Sequence, residues 1–169
     1  MNPKTPENSK TIQTDIVLPG DTNSLNNLFG GELLARMDKV ASIAAIKHSE
    51  QIVVTASINN VAFGEPVPNG SILTIEAKVS RAFNTSMEVF IDVWKQNKTH
   101  KKKTKVNEAI YTFVAVTKSG ETIKVPPLTP ETELEKKRFD AALRRRQLSL
   151  VLAGKMKANE ATELKAIFN

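Results

Sequence analysis

From Gly31 to His48 the sequence spells a helix that water cannot surround. At about 100° per residue, Leu33, Leu34, Met37, Val40, Ala41, Ala44 and Ala45 gather on one broad face, and Ile43 and Ile46 fall on the far side. A helix apolar around most of its circumference has to be wrapped, by a sheet or by a partner subunit. This is the expectation for 31–48, and it rules out a helix lying on a solvated surface.

One acid breaks the pattern. Asp38 falls at the border of the packed face, where a carboxylate loses hydration unless something pairs with it; such acids concentrate at working sites. The other reading is a local bond from Asp38 to Ser42, one turn on. At the helix start, Gly30 and Gly31 supply unhindered backbone and leave the first N–H groups unpaired, a place for developing negative charge. Here too a plainer reading stands, that the glycines let loop and helix pack closely.

The rest of the chain supplies the wrapping. Thr11–Leu18 alternates as a first strand and Pro19, Gly20 and Asp21 end it. After the helix, strands are expected over Gln51–Phe63, Ser71–Ala82, Ser86–Gln96 and Val106–Lys118, joined by short turns. The order of strand, helix and four strands predicts an α+β fold, a curled antiparallel sheet of five strands around one long helix. Both faces of the last strands are partly apolar, so the face away from the helix needs a cover, and a second subunit is the economical candidate.

After Val125-Pro126-Pro127 the pattern changes to a charged helix, with Thr129 as its N-cap, Pro130 at its first position, and an end near Gln147 or, if continued, past Gly154. Leu164, Ile167 and Phe168 suggest a second short helical piece, the whole forming a tail docked on its own domain or a neighbour. The chain therefore divides into a flexible N-terminus over 1–10, a domain over 11–125 and a helical extension over 126–169. The first ten residues are too polar for a signal peptide and no run is of membrane-spanning length, so a cytoplasmic protein is expected.

Composition excludes several chemistries. There are no cysteines, so thiolate catalysis and thiolate metal sites are absent; the two histidines, His48 and His100, are far from any paired acids, and no metal site is expected. His48 reads as a cation at the helix C-terminus and His100 as solvent-exposed. No P-loop, dinucleotide fingerprint or nucleophile elbow occurs. The net charge of +6 is local, because the six lysines between Lys95 and Lys105 account for it. That run suits a solvated hairpin tip; the functional reading is capture of a phosphorylated ligand or of nucleic acid, the latter the weaker because no aromatic residue is there to stack bases.

What remains is a carboxylate, the carboxamides of Asn23, Asn26 and Asn27, and a helix N-terminus, a set suited to acyl transfer to water: a base or nucleophile, an amide to orient water, and N–H groups for the oxyanion. Asn23 has its own plainer reading, an Asx turn within its loop.

In its motifs the chain resembles the hotdog-fold acyl-CoA thioesterases of the cytosolic acyl-CoA hydrolase type. The glycine-helix motif is Asn23, Asn27, Phe29, Gly30, Gly31, Met37 and Asp38; VVTASINNVAF with Pro66-Val67, TSMEVFIDVW, NEAIYTFVAV and VPPLTPETELEKKRF follow in order, covering Thr11 to Arg146. The resemblance implies a hotdog fold, paired into a double-hotdog homodimer and often assembled as a homohexamer, with active sites at the dimer interface. It implies hydrolysis of fatty acyl-CoA with no cofactor, catalytic Asn23 and Asp38 contributed by opposite protomers, and Gly31, with Gly30 beside it, as carbonyl-polarising backbone. Thr85 and Ser86 match an element near the pantetheine arm. The family commonly carries glycine where this chain has Asn26, a residue that tolerates left-handed backbone. Alternatives are a non-catalytic acyl-CoA-binding hotdog and a nucleic-acid binder using the lysine run.

Overall fold

The computed structural model describes residues 1–97 and 102–168. Five strands, β1 (Thr11–Ile16), β2 (Ile52–Phe63), β3 (Ile72–Ala82), β4 (Ser86–Gln96) and β5 (Thr104–Val116), form one antiparallel sheet in the order β1-β3-β4-β5-β2. The helix α2 (Gly30–Ser49) lies in its curl. Met37, Val40, Ala41, Ala44 and Ala45 are fully buried against Leu73, Ile75, Met87, Val89, Ile91 and Phe113, as the apolar circumference demanded. Burial of each large side chain contributes about 1.5–3 kcal/mol. The helix ends where Glu50 turns to φ 56°.

Part of the other face of the sheet is covered by the chain itself, over β3 and β4, while Ile52 and Val54 of β2 stay exposed. Helix α3 (Glu133–Leu152) crosses β3 and β4: Arg138 sits 3.7 Å over the Phe90 ring and bonds Asp92 at 2.8 and 3.0 Å, and Arg145 grips Glu88 in a two-pronged pair at 2.8 and 2.9 Å. This helix begins three residues later than expected. Its cap is Thr132, not Thr129, because Thr132 and Glu135 each accept the other's backbone N–H, at 3.2 and 3.0 Å. It runs on to Leu152, and a left-handed Gly154 (φ 68°) follows. A further turn, α4 (Thr162–Lys165), is tied back through Leu164 N–H to Gln147 Oε1 at 2.9 Å.

Within the expected N-terminal segment 1–10, Lys4, Pro6 and Ser9 contact the domain. The short helix α1 (Pro6–Ser9) places the buried Ser9 hydroxyl to accept the Val79 N–H at 2.9 Å. Lys4 Nζ reaches the C-terminus of α2, donating to the carbonyls of Lys47 and His48 at 3.1 and 2.8 Å and pairing with Glu50 at 2.6 Å. The cation serving that helix end is thus Lys4. His48 is fully buried and bonds the Pro126 carbonyl through Nε2 at 2.8 Å, and burial followed by the nearby Lys4 charge lowers its pKa, so the charged form expected from the sequence is disfavoured.

The lysine run is partly engaged: Lys95 pairs with Glu65 at 2.9 Å, and Lys105 with both Asp92 and Glu108 at 2.7 Å. The exposure expected of His100 lies outside the described residues.

Candidate active site

The loop before α2 is locked by its asparagines. Asn23 Oδ1 accepts the N–H groups of Leu25 and Asn27 at 2.9 and 3.3 Å, the Asx turn anticipated as its plainer role. Asn26 takes the left-handed conformation (φ 56°), and its carbonyl accepts Asn69 N–H at 2.9 Å. Arg36, nearly buried, ties loop to helix through Asp21 at 2.7 Å and Glu32 at 3.0 Å. With its oxygen committed to the turn, Asn23 has its amide NH2 free to address a neighbour, and the side chain lines a cavity of about 300 Å³ with Asn27, Gly30, Leu33 and Phe63.

At the helix start no side chain caps, and among the described residues no partner is present for the N–H groups of Gly30, Gly31 or Glu32. The two glycines differ. A Cβ on Gly30 would meet the Phe63 ring at 3.2 Å, so close packing accounts for it; one on Gly31 would meet nothing within 4 Å. Packing does not explain Gly31, which leaves its exposed N–H as the asset.

Asp38 does not bond Ser42, whose hydroxyl donates to Lys39 O at 2.8 Å. It is half-buried and accepts the Thr55 hydroxyl through Oδ1 at 2.8 Å. Thr55 pairs with the buried Phe113 and so faces the helix by the strand's own alternation, and β2 slips register against β5 just beyond it, between Thr55 and Ser57. Beneath lies Tyr111, fully buried, donating to Leu34 O at 3.0 Å; burial, followed by the negative charge of Asp38, pushes its pKa up to about 12. Tyr111 therefore stays protonated and holds the helix backbone beside the acid. Sequence reading missed Thr55 because threonine is an ordinary strand residue.

Within one chain the expected site residues fall into three places. Asn23 and Gly30 share the cavity at the helix start, and Gly31 stands beside it. Asp38 lies seven residues beyond Gly31, about 10 Å along the axis. Thr85 and Ser86 line a larger cavity of about 440 Å³ on the opposite face of the sheet, under α3. Among the described residues no group of three or more His, Asp or Glu side chains is placed to hold a metal.

Residues 25–101 match the family model described as the thioesterase superfamily. An uncharacterized acyl-CoA thioester hydrolase of Bacillus subtilis is 36% identical over 137 residues, 81% of this chain and 80% of that protein. The chain belongs to the thioesterase superfamily. Its five-stranded sheet around α2 is the hotdog fold. The human cytosolic acyl coenzyme A thioester hydrolase is 33% identical over 140 residues, 82% of this thioesterase and 37% of that protein. A hexameric acyl-CoA thioesterase crystallised in its apo form superposes with a TM-score of 0.87 at 39% identity, covering 90% of this chain and 98% of that one. The acyl-CoA hydrolase of Staphylococcus aureus, solved with butyryl coenzyme A, coenzyme A and coenzyme A disulfide, superposes with a TM-score of 0.82 at 34% identity, covering 96% and 98%. That hydrolase has also been solved with a single asparagine, aspartate or threonine changed to alanine.

Proposed function

We propose that this thioesterase hydrolyses fatty acyl-CoA to free acid and coenzyme A, with Asp38 as the base that activates water. The observation carrying this is the Thr55–Asp38 hydrogen bond of 2.8 Å: the asparagine, aspartate and threonine changed in the S. aureus hydrolase have the spacing of Asn23, Asp38 and Thr55. With Oδ1 held by Thr55, Oδ2 is open to take a proton from water. The hydroxide attacks the thioester carbonyl, whose oxygen gains charge against the Gly31 N–H with Gly30 beside it; the tetrahedral intermediate collapses by breaking the C–S bond, and the proton on Asp38 goes to the departing thiolate. The Asn23 amide donates to water or carbonyl.

One chain cannot do this alone. A carbonyl must lie about 3 Å from both base and oxyanion donor, whereas Asp38 and Gly31 are about 10 Å apart along one helix. Asp38 of one copy is therefore matched with Asn23 and Gly31 of another, in a dimer joined along β2. That strand is an edge, with its outer ladder open and Ile52, Val54 and Ile58 exposed. Three such dimers make the hexamer, in keeping with the hexameric neighbour. Thr85 and Ser86 touch the pantetheine arm, no metal or redox cofactor takes part, and the name of the human relative supports a cytoplasmic location.

Asp38→Ala is expected to lower kcat for acyl-CoA by about 10²–10⁴-fold, followed as free thiol released. A variant as fast as the wild type would overturn the role of Asp38. Wild-type protein that binds acyl-CoA without turnover would leave only the non-catalytic alternative.

A further inference from the structure

In the cavity that holds Asn23 and Gly30, Asn107 is 4% exposed and only half of its carboxamide is engaged. Its Nδ2 donates to Ala62 O across the end of β2, while Oδ1 has no partner among the described residues. A buried acceptor left without a donor destabilises a fold, and an apolar side chain of the same shape carries no such cost. The surrounding strand does not call for a polar residue: Val106 and Ala109 beside it on β5 are buried and apolar. The bond to Ala62 is what the amide supplies and a leucine would not.

That bond lies where the ladder serves poorly. The pairing of β2 with β5 is interrupted between Asn59 and Ala62, and β2 is an edge strand with no second neighbour on its outer side. Beyond the interruption the strand end is pinned by the Asn107 amide and by Gly64 N–H on Val106 O at 3.0 Å; a Cβ on Gly64 would stand 3.1 Å from that same oxygen. Lys95 fastens the next turn through Pro66 O at 2.9 Å.

The residue carried by this pinned segment is Phe63. Its ring is 57% exposed, yet its tip rests on Gly30, 3.2 Å from where a Cβ would be. It covers one side of the helix start, whose Gly30 and Gly31 N–H groups have no partner among the described residues. A hydrogen bond from such a group to a developing oxyanion strengthens as water is kept away from it.

We propose that Phe63 shields the oxyanion-binding start of α2 from water and that Asn107 is the positioning residue holding it there through Ala62, an assignment that rests on the thioesterase reading and adds these two residues to it. Phe63 acts on the carbonyl as it gains charge, and Asn107 acts only through Phe63.

The test compares the full-length wild type with Asn107→Leu, Phe63→Ala, Phe63→Leu and the double variant of Asn107→Leu with Phe63→Ala, following thiol release from an acyl-CoA and unfolding in urea. Asn107→Leu and Phe63→Ala are each expected to lower kcat about tenfold with KM within about twofold, since the shield acts on the transition state. Phe63→Leu keeps an apolar cover and should recover part of the loss. The double variant should be no slower than Phe63→Ala, because one residue works through the other. The urea midpoint of Asn107→Leu should equal or exceed that of the wild type, since the unpartnered acceptor is gone and the exposed Ala62 leaves its carbonyl to water.

Wild-type kcat in Asn107→Leu or Phe63→Ala, losses that multiply in the double variant, or a raised KM with kcat kept would each overturn the proposal. A fall in kcat with a lowered urea midpoint, or an Asn107→Leu chain that does not fold, marks a structural role for Asn107 and overturns it as well. These failures leave the thioesterase reading intact, because wild-type turnover tests that on its own. A wild type without turnover removes the reading, and the proposal with it.

Discussion

The two helices that cover the sheet do so by opposite means. The contact of α2 is mostly dry: alanines, Val40 and Met37 are fully buried against strands, with polar contacts limited to Arg36, the Tyr111 hydroxyl on Leu34 O, Asp38 and the helix ends. The contact of α3 is made by arginines over aromatic rings and on carboxylates, with only Ala142 and Gln147 buried on the helix. A dry face follows from apolar area and tolerates no gap, whereas a face of long polar side chains stands off and leaves a cavity. Asp38 sits on the dry helix, and Arg138 and Arg145 sit on the other.

The contrast can be broken first at its tight side. Met37→Ala removes a fully buried side chain beneath Asp38 and is expected to cost about 2–5 kcal/mol in urea unfolding; a cost below about 1 kcal/mol would mean that the α2 interface is not the tight one. On the other side, Glu88→Ala strands Arg145, but that side chain keeps partial access to water, 28% exposed, so the loss should be smaller than for a sealed pair, about 2 kcal/mol, and should shrink in high salt. An undiminished loss in salt would show that packing rather than charge secures α3. Thr132→Ala removes the capping box of α3 and is expected to cost about 1 kcal/mol, with acyl-CoA turnover kept, since the cap belongs to α3 and Asp38 to α2. The smallest effect concerns pH. His48 has a folded pKa below its ordinary 6.5, so below that pH the unfolded chain binds more protons and stability falls with falling pH until the folded value is passed. The difference between wild type and His48→Gln, measured as the urea midpoint from pH 8 to 5, should narrow as the pH drops below about 6.5. A difference constant with pH would mean that His48 is not buried as a neutral ring.

Much of this layout was legible in order along the chain. The five strands lie within a few residues of where alternation placed them, and α2 matches its apolar circumference, because period and burial are local consequences of composition. The cap of α3 was misplaced because Thr129-Pro130 and Thr132 with Glu135 offer competing signals three residues apart, and the mutual bonds of Thr132 and Glu135 decide between them. Asp38 drew notice as a charge on an apolar border, yet its partner could not be found that way: Thr55 lies 17 positions off on a strand full of β-branched residues. Arg145 and Glu88 are 57 apart, and neither stands out in its own segment.

By itself the sequence determined the inventory: a helix that must be wrapped, enough strands to wrap it, one acid at its border and a glycine start without a cap. Those are properties of neighbours in the chain, and short-range sterics and hydration settle them. Tertiary structure alone decided that the second helix lies over β3 and β4, that His48 is buried against Pro126 while Lys4 serves the helix end, and that Thr55 holds Asp38. Each of these depends on which distant segments meet, and pairing across tens of residues is set by the closing of the whole sheet rather than by any local pattern.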